Sequence, residues 1–501
     1  MHLRLVSGVA LLLSSAAFAD SKDRCSRLVA AFGNRLAEPT CFESPDLTTN
    51  NPATTPANNS IPGLAPGAFT PQTDRNVISP NPPNRTPIPK GVVVPGVQLQ
   101  ARIADDPTDQ GRFLLRLPND WNGRLVVAGA SGTRSEFNGD FAWSDYVVQR
   151  GYAYASQNKG VLNLRVVALA DPPPTDELAC RLNPLSKVFV HFFDNDKGQP
   201  FTRWASFMAQ AAMLARRGVE AHYGREARRT YAVGTSNGGY QVRRALELFP
   251  SLFDGGVDWE GTYVDAGAPN LLTDLPPAIL NFPDYVASDF NAASTAATNI
   301  GAAGYPPDIV SRPMDPSKPI NSLWKLYNDQ FWEVTQCQWQ KRNDPTYDTY
   351  VKGTGTYNYI ARLSASDVGA NMAAFATTGR IGRPLITVAG TMDGLLPIDR
   401  HARAYARKVA QAQADRDDDE GNDKAAYRLY EVQNGNHIET FKDVFPQLEF
   451  IQPHAQKAFD LLVESVERRA SLPPSQCIPR GGAISGIPAQ PGHCANLFVG
   501  P

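Results

Sequence analysis

Gly234-Thr235-Ser236-Asn237-Gly238 is a G-x-S-x-G box, and the pattern occurs once in the chain. An apolar run, 231–233 (YAV), stands directly before it, and 241–249 reads as a helix stopped by Pro250. That context puts Ser236 on a sharp strand-to-helix turn, where flanking glycines avoid clashes with the neighbouring strand and helix. A serine hydroxyl is a weak nucleophile until a base takes its proton. The chemistry on offer is therefore acyl transfer, provided that a histidine and an acid can be brought to Ser236.

The histidines downstream are His401, His437, His454 and His493. His437 lies in the loop Gln433-Asn434-Gly435-Asn436-His437, after a run that reads as a strand over Tyr427–Val432. Loops at the carboxyl ends of parallel strands are where open α/β sheets build their sites. His401 falls in a charged helix and His454 near the start of another, so both read as surface residues. For the acid, 385–389 reads as a strand that exits into Gly390-Thr391-Met392-Asp393-Gly394. Asp393 in that turn can hold His437 in the tautomer that accepts the serine proton. Asp399 is the alternative, but it falls at the start of the next helix.

The developing oxyanion needs two backbone N–H donors. One should come from Asn237, the residue after the serine. The other should come from the small-residue loop Gly129-Ala130-Ser131-Gly132-Thr133, with Ser131 or Ala130 as the candidates. No C-x-x-C or spaced His/Cys cluster is present, so no metal site is expected. The acidic run 415–423 lacks the spacing of a calcium loop and reads as a solvated turn. No cofactor is called for.

These residues need a scaffold. The runs 113–117 (FLLRL), 125–128 (LVVA), 152–156 (YAYAS), 231–233 and 384–389 (PLITVA), with Tyr427–Val432, read as strands. Between them, 201–217 carries apolar residues at helical spacing, as do 401–414 and 453–469. Strands alternating with helices indicate an α/β fold with a mostly parallel central sheet flanked by helices. The alternation breaks over 266–380, which is rich in proline, asparagine and aromatics, among them Trp324, Tyr327, Phe331, Trp332, Trp339, Tyr350 and Tyr357. It reads as an inserted lid, with most of those aromatics forming the lid's own core. The expected organisation is a 1–19 signal peptide, a Pro-rich arm over 20–95, core over 96–265, lid over 266–380, core over 381–470 and a tail over 471–501.

Composition narrows the class. Lys and Arg number 48 against 50 Asp and Glu, a balance that argues against nucleic-acid binding. At 42% hydrophobic, the 501 residues can bury a sizeable core. His2 and Arg4, the apolar run 5–13 and Ala17-Phe18-Ala19 form the pattern of a signal peptide cleaved after Ala19. The apolar run is too short to span a bilayer, and no other run is long enough, so no membrane span is expected. Export, to periplasm or medium, permits disulfides. Proximity pairs Cys25 with Cys41 and Cys477 with Cys494, leaving Cys180 and Cys337, although six cysteines allow fifteen connectivities. Nothing in the sequence fixes an oligomeric state.

GTSNGG, GTMDGLLP and NGNH, in that order, resemble an α/β-hydrolase serine esterase. The segments 125–160, 234–241 (GTSNGGYQ), 434–441 (NGNHIETF) and 472–482 (LPPSQCIPRGG) resemble the extracellular 3-hydroxybutyrate-oligomer hydrolases and, more distantly, the tannase/feruloyl esterase group. The resemblance implies an α/β-hydrolase fold and a triad of Ser236, Asp393 and His437. It implies a small-molecule or oligomeric ester as substrate, first a hydroxyalkanoate oligomer and second a phenolic ester. Tannase-like enzymes carry disulfide-linked cysteines beside the serine and the histidine. Here Thr235, Asn436 and Ile438 occupy those places. A secreted peptidase of the same fold and a non-catalytic exported binding protein are the other readings. The presence of all three triad residue types weighs against the last.

Overall fold

Alternation along the central strands decides how the chain layers itself. In the computed structural model, which describes residues 24–51, 53–54, 92–132, 135–161, 165–168, 179–183, 185–191, 200–315, 317–347, 354–415 and 425–500, Leu125 and Val127 face one side of a sheet while Val126 and Ala128 face the other. Among these residues the main sheet comprises β1 (Leu36–Ser44), β2 (Gly96–Ile103), β3 (Arg112–Pro118), β4 (Arg124–Gly129), β5 (Ala153–Gln157), β9 (Arg229–Thr235), β10 (Gly255–Trp259), β13 (Leu385–Gly390), β14 (Tyr427–Val432), β15 (Gln476–Ile478) and β16 (Gln490–Pro491). Short strands β6 (Arg165–Ala168), β7 (Cys180–Arg181) and β8 (Phe189–His191) form a separate small sheet, and β11 (Val310–Ser311) pairs with β12 (Asn321–Ser322).

The spatial order is β1-β2-β3-β5-β4-β9-β10-β13-β14-β15-β16. Strands β1, β2, β3 and β5 pair antiparallel in turn, and from β5 to β15 every pairing is parallel. From β2 to β14 this is the α/β-hydrolase arrangement, with one crossing where β5 sits between β3 and β4. The helices Pro200–Tyr223, Asn237–Leu248 and Ala402–Ala414 cover one face. The helix Gln452–Arg468 and the segment around Trp143 cover the other. Both layers bury apolar stripes at helical spacing, the source of most of a domain's stabilisation.

A third apolar core lies between β10 and β13 in the chain. There the helices Leu271–Ala287, Thr295–Ala302, Leu323–Tyr327 and Glu333–Asn343 pack with Tyr305, Trp332, Tyr357 and Phe375. Trp324, Tyr327, Trp332, Trp339 and Tyr357 are all buried in it; Tyr350 lies outside the described residues. The same core takes in Met392, Leu395, Ile438 and Phe441 from the loops after β13 and β14.

The disulfides are Cys25–Cys41, Cys180–Cys337 and Cys477–Cys494. The second joins β7 to the helix Glu333–Asn343, closing a span of 157 residues. No helix among the described residues is long and apolar enough to cross a membrane.

Three expectations need correction. Residues 20–95 are not one arm: 24–32 is helical and β1 pairs with β2, burying Leu28, Phe32 and Leu36 against the sheet. Residues 55–91, like the signal pattern at 1–19 and most of the acidic run at 415–423, lie outside the described residues. The tail 471–501 is part of the sheet through β15 and β16. His401 is buried, because as the residue preceding the helix Ala402–Ala414 it turns its ring inward, where Nδ1 accepts from the Tyr263 amide at 3.0 Å. His454 is half-buried too, and burial pulls its pKa down to about 4.

Candidate active site

β9 runs straight into Ser236, which takes φ 58° and ψ −122° before the helix Asn237–Leu248 begins. A left-handed serine is strained, and the surroundings over-determine it. Its amide donates to Trp259 O at 2.9 Å, and its carbonyl accepts from Tyr240 N at 3.0 Å. A Cβ on Gly234 would stand 2.3 Å from Gly238 O, and one on Gly239 would stand 2.3 Å from Asp258 Oδ1. The turn therefore needs Gly234 and Gly238 for close approach of backbone to backbone, and Gly239 for close approach to a buried ion pair. That pair is Asp258 with Arg243, at 2.5 Å and fully buried under the turn.

Neighbouring parallel strands carry the other groups to the same sheet end. Asp393 follows β13, and His437 follows β14. His437 Nδ1 and Asp393 Oδ2 are 2.8 Å apart, both buried. Asp393 Oδ1 accepts from the amides of Leu395 (2.8 Å) and Leu396 (2.7 Å), which fixes the carboxylate and leaves Oδ2 for the ring. With Nδ1–H donated to Asp393, Nε2 is the basic nitrogen. The two loops are laced together: Met392 N donates to Gly435 O at 2.8 Å, and Asn434 N to Thr391 Oγ1 at 2.9 Å. A Cβ on Gly390 would lie 2.3 Å from Gly435 O, so the strand ends touch backbone to backbone.

The aromatic segment between β10 and β13 is keyed to both loops. Trp332 Nε1 donates to Gly394 O at 2.7 Å, and Tyr327 OH donates to Asn436 Oδ1 at 2.7 Å. Asp399, the alternative acid, is instead exposed and paired with Arg403.

The oxyanion candidates also meet at the turn. A Cβ on Gly238 would lie 2.4 Å from Gly129 O and 3.1 Å from the Ala130 carbonyl carbon, so the loop after β4 lies against the start of the helix that Asn237 opens. The Ser131 amide is already engaged, donating to Asn138 Oδ1 at 2.6 Å. The same peptide's carbonyl, Ala130 O, accepts from Lys159 Nζ at 2.6 Å. That peptide is held at both ends, which favours Ala130 over Ser131 as the second donor. Lys159 is fully buried, with its ammonium 5.5 Å from the centre of the Trp204 ring.

Sequence reasoning missed Lys159, Asn138 and Glu260. Glu260 directly follows β10, a strand also missed because Gly255-Gly256-Val257-Asp258-Trp259 has no apolar run. Its Oε2 is 3.5 Å from His437 Nδ1. Burial and then the charge of Asp393 push its carboxyl up to about 8, against the pull of His437, the Gly390 amide and the Trp259 indole. Glu260, Asp393 and His437 offer ligand atoms within 4.8 Å of one another. A cation there would have to take the Nδ1 that Asp393 holds.

Residues 346–497 match the family model of the 3HB-oligomer hydrolases, a stretch that contains Asp393 and His437. Two D-(-)-3-hydroxybutyrate oligomer hydrolases are similar. That of Burkholderia thailandensis is 36% identical over 152 residues, 29% of this chain and 20% of that protein. That of Ralstonia pickettii is 32% identical over 114 residues, 21% of this chain and 14% of that protein. The matches thus span a fifth or less of these curated relatives. Among solved structures, an esterase from Aspergillus oryzae aligns with TM-score 0.49 and 13% identity, covering 90% of each chain. Tannin acyl hydrolase from Aspergillus niger aligns with TM-score 0.49 and 12% identity, covering 90% of this chain and 88% of that one.

Proposed function

We propose that this chain is an exported serine esterase that hydrolyses 3-hydroxybutyrate oligomers through Ser236, His437 and Asp393. The observation that carries the reading is the 2.8 Å bond between His437 Nδ1 and Asp393 Oδ2, at the sheet end where β9 delivers a strained Ser236. The match of 346–497, which holds Asp393 and His437, to the 3HB-oligomer hydrolase family model supports the substrate class. Three disulfides support an oxidising compartment, in keeping with a signal peptide at 1–19.

Ser236 Oγ bonds to the ester carbonyl carbon as its proton passes to His437 Nε2. The oxyanion is met by the amides of Asn237 and Ala130. Collapse breaks the ester C–O bond, and the leaving hydroxyl of the next unit takes the proton from His437. Water, deprotonated by the same histidine, then cleaves the acyl-enzyme and restores Ser236. Residues 266–380, keyed to the Asp393 and His437 loops, act as the lid over this reaction.

Product analysis tests the substrate class. Incubation with hydroxybutyrate dimer and trimer should release monomer, with methyl ferulate and aminoacyl-anilides turned over far more slowly. Preference for methyl ferulate would replace the substrate with a phenolic ester, and preference for the anilides would make the protein a peptidase.

A further inference from the structure

Asp393 is not the only carboxyl within reach of His437. Glu260 directly follows β10, the strand between β9 and β13, and takes φ 52°. A left-handed backbone is costly for a residue with a Cβ. Oε1 accepts from the Gly390 amide at 3.0 Å. That anchor leaves Oε2 buried with no donor at ordinary hydrogen-bond distance, drawn on by the Trp259 indole and 3.5 Å from His437 Nδ1. Burying a polar atom without a partner also costs stability. The fold keeps both penalties at one position, beside the histidine, which is where strain tends to serve a mechanism.

The geometry points to Glu260 as the alternate acid of this site, a positioning carboxyl able to take His437 Nδ1 in place of Asp393. This deepens the serine esterase reading and rests on it. Asp393 and His437 face Glu260 from the loops after β13 and β14. Tyr327 faces it from the aromatic segment, and the buried Glu439 lies close enough to feel its charge. With its carboxyl pushed up to about 8, Glu260 carries its proton at neutral pH and leaves Asp393 as the working partner. Once ionised, it offers Nδ1 a second acceptor.

The test compares p-nitrophenyl butyrate hydrolysis by the full-length wild type, Ser236→Ala, His437→Ala, Asp393→Asn and the double variant Asp393→Asn/Glu260→Gln from pH 6 to 9.5, with circular dichroism on each. Asp393→Asn should exceed the double variant by roughly tenfold or more, as a surviving histidine partner demands. Its rate should climb with pH as Glu260 ionises, and do so below the wild-type value of about 8, because the Asp393 charge that helps push Glu260 up is gone; the double variant lacks that climb and stays near the His437→Ala level. Asp393→Ala with and without Glu260→Gln supplies the same comparison should the amide misfold. Coincident profiles for single and double variants, with Ser236→Ala inactive, would overturn the role of Glu260 alone. Turnover by Ser236→Ala equal to wild type would overturn the esterase reading and this proposal with it.

Discussion

The hydroxyl of Tyr327 donates to Asn436 Oδ1 at 2.7 Å, which bonds the aromatic segment between β10 and β13 to the residue immediately before His437. The other end of the Asn436 amide is spent on Ile438 O at 2.9 Å, so the side chain spans the histidine and is held at both ends. Tyr327 also lies flat against Gly394, where an added Cβ would meet its ring at 2.5 Å. One aromatic thus braces the loops that carry His437 and Asp393.

Tyr327→Phe keeps the ring and removes the brace. It leaves a buried amide oxygen unpaired, so stability should fall by about 1–3 kcal/mol in urea unfolding. The esterase rate should fall with it, chiefly in kcat, since His437 loses a support and Tyr327, fully buried, offers a substrate no surface. An unchanged urea midpoint would show that the hydroxyl is dispensable.

Lys159→Met tests the clamp on the loop proposed to donate to the oxyanion. The ammonium holds Ala130 O from one side while Asn138 Oδ1 holds the Ser131 amide from the other. Freed from Lys159, that peptide can tilt and carry the Ala130 amide off its aim. Losing one oxyanion donor costs about 10²–10³ in kcat. The variant is expected to approach the lower end of that range with KM little changed. A rise in KM at constant kcat would assign Lys159 to substrate binding instead.

Asp274 supplies a pH dependence of stability. It sits in the helix Leu271–Ala287, buried, with Oδ2 3.5 Å from His401 Nε2. Burial pushes its carboxyl from an ordinary 3.8 up to about 7, against weaker pulls from Thr273 and Arg400. Between those values the native state holds a proton that the unfolded chain releases. The stabilisation from that proton is complete below about 4 and is lost as pH rises through about 7. Asp274→Asn removes the slope, so its stability relative to wild type should grow from pH 4 to pH 7. A gap independent of pH, read from urea midpoints, would contradict this.

Much of the site was legible because its parts announce themselves locally. Ser236 stands between an apolar run and a helix, with glycines where backbones touch. Asp393 and His437 each follow a readable strand by a few residues. Tyr427–Val432 has the same ends in sequence and structure. What was not legible depends on contacts between distant segments. Glu260 follows a strand whose two glycines and aspartate, Gly255, Gly256 and Asp258, hide its nature. Its meaning comes only from lying between β9 and β13. β2 carries a readable alternation, with Val97, Leu99, Ala101 and Ile103 buried, but the proline-rich stretch directly before it masks the strand. His401 reads as a surface residue because its helix carries Arg403, Arg407 and Lys408, yet its own ring turns in to the Tyr263 amide.

The central claim is that Ser236 is a nucleophile activated by His437. A fluorophosphonate probe followed by peptide mapping tests it most directly. The adduct should appear on the peptide containing Gly234-Thr235-Ser236-Asn237-Gly238, vanish in Ser236→Ala and form far more slowly in His437→Ala. Labelling that persists in Ser236→Ala, or that proceeds at the wild-type rate in His437→Ala, would contradict the account.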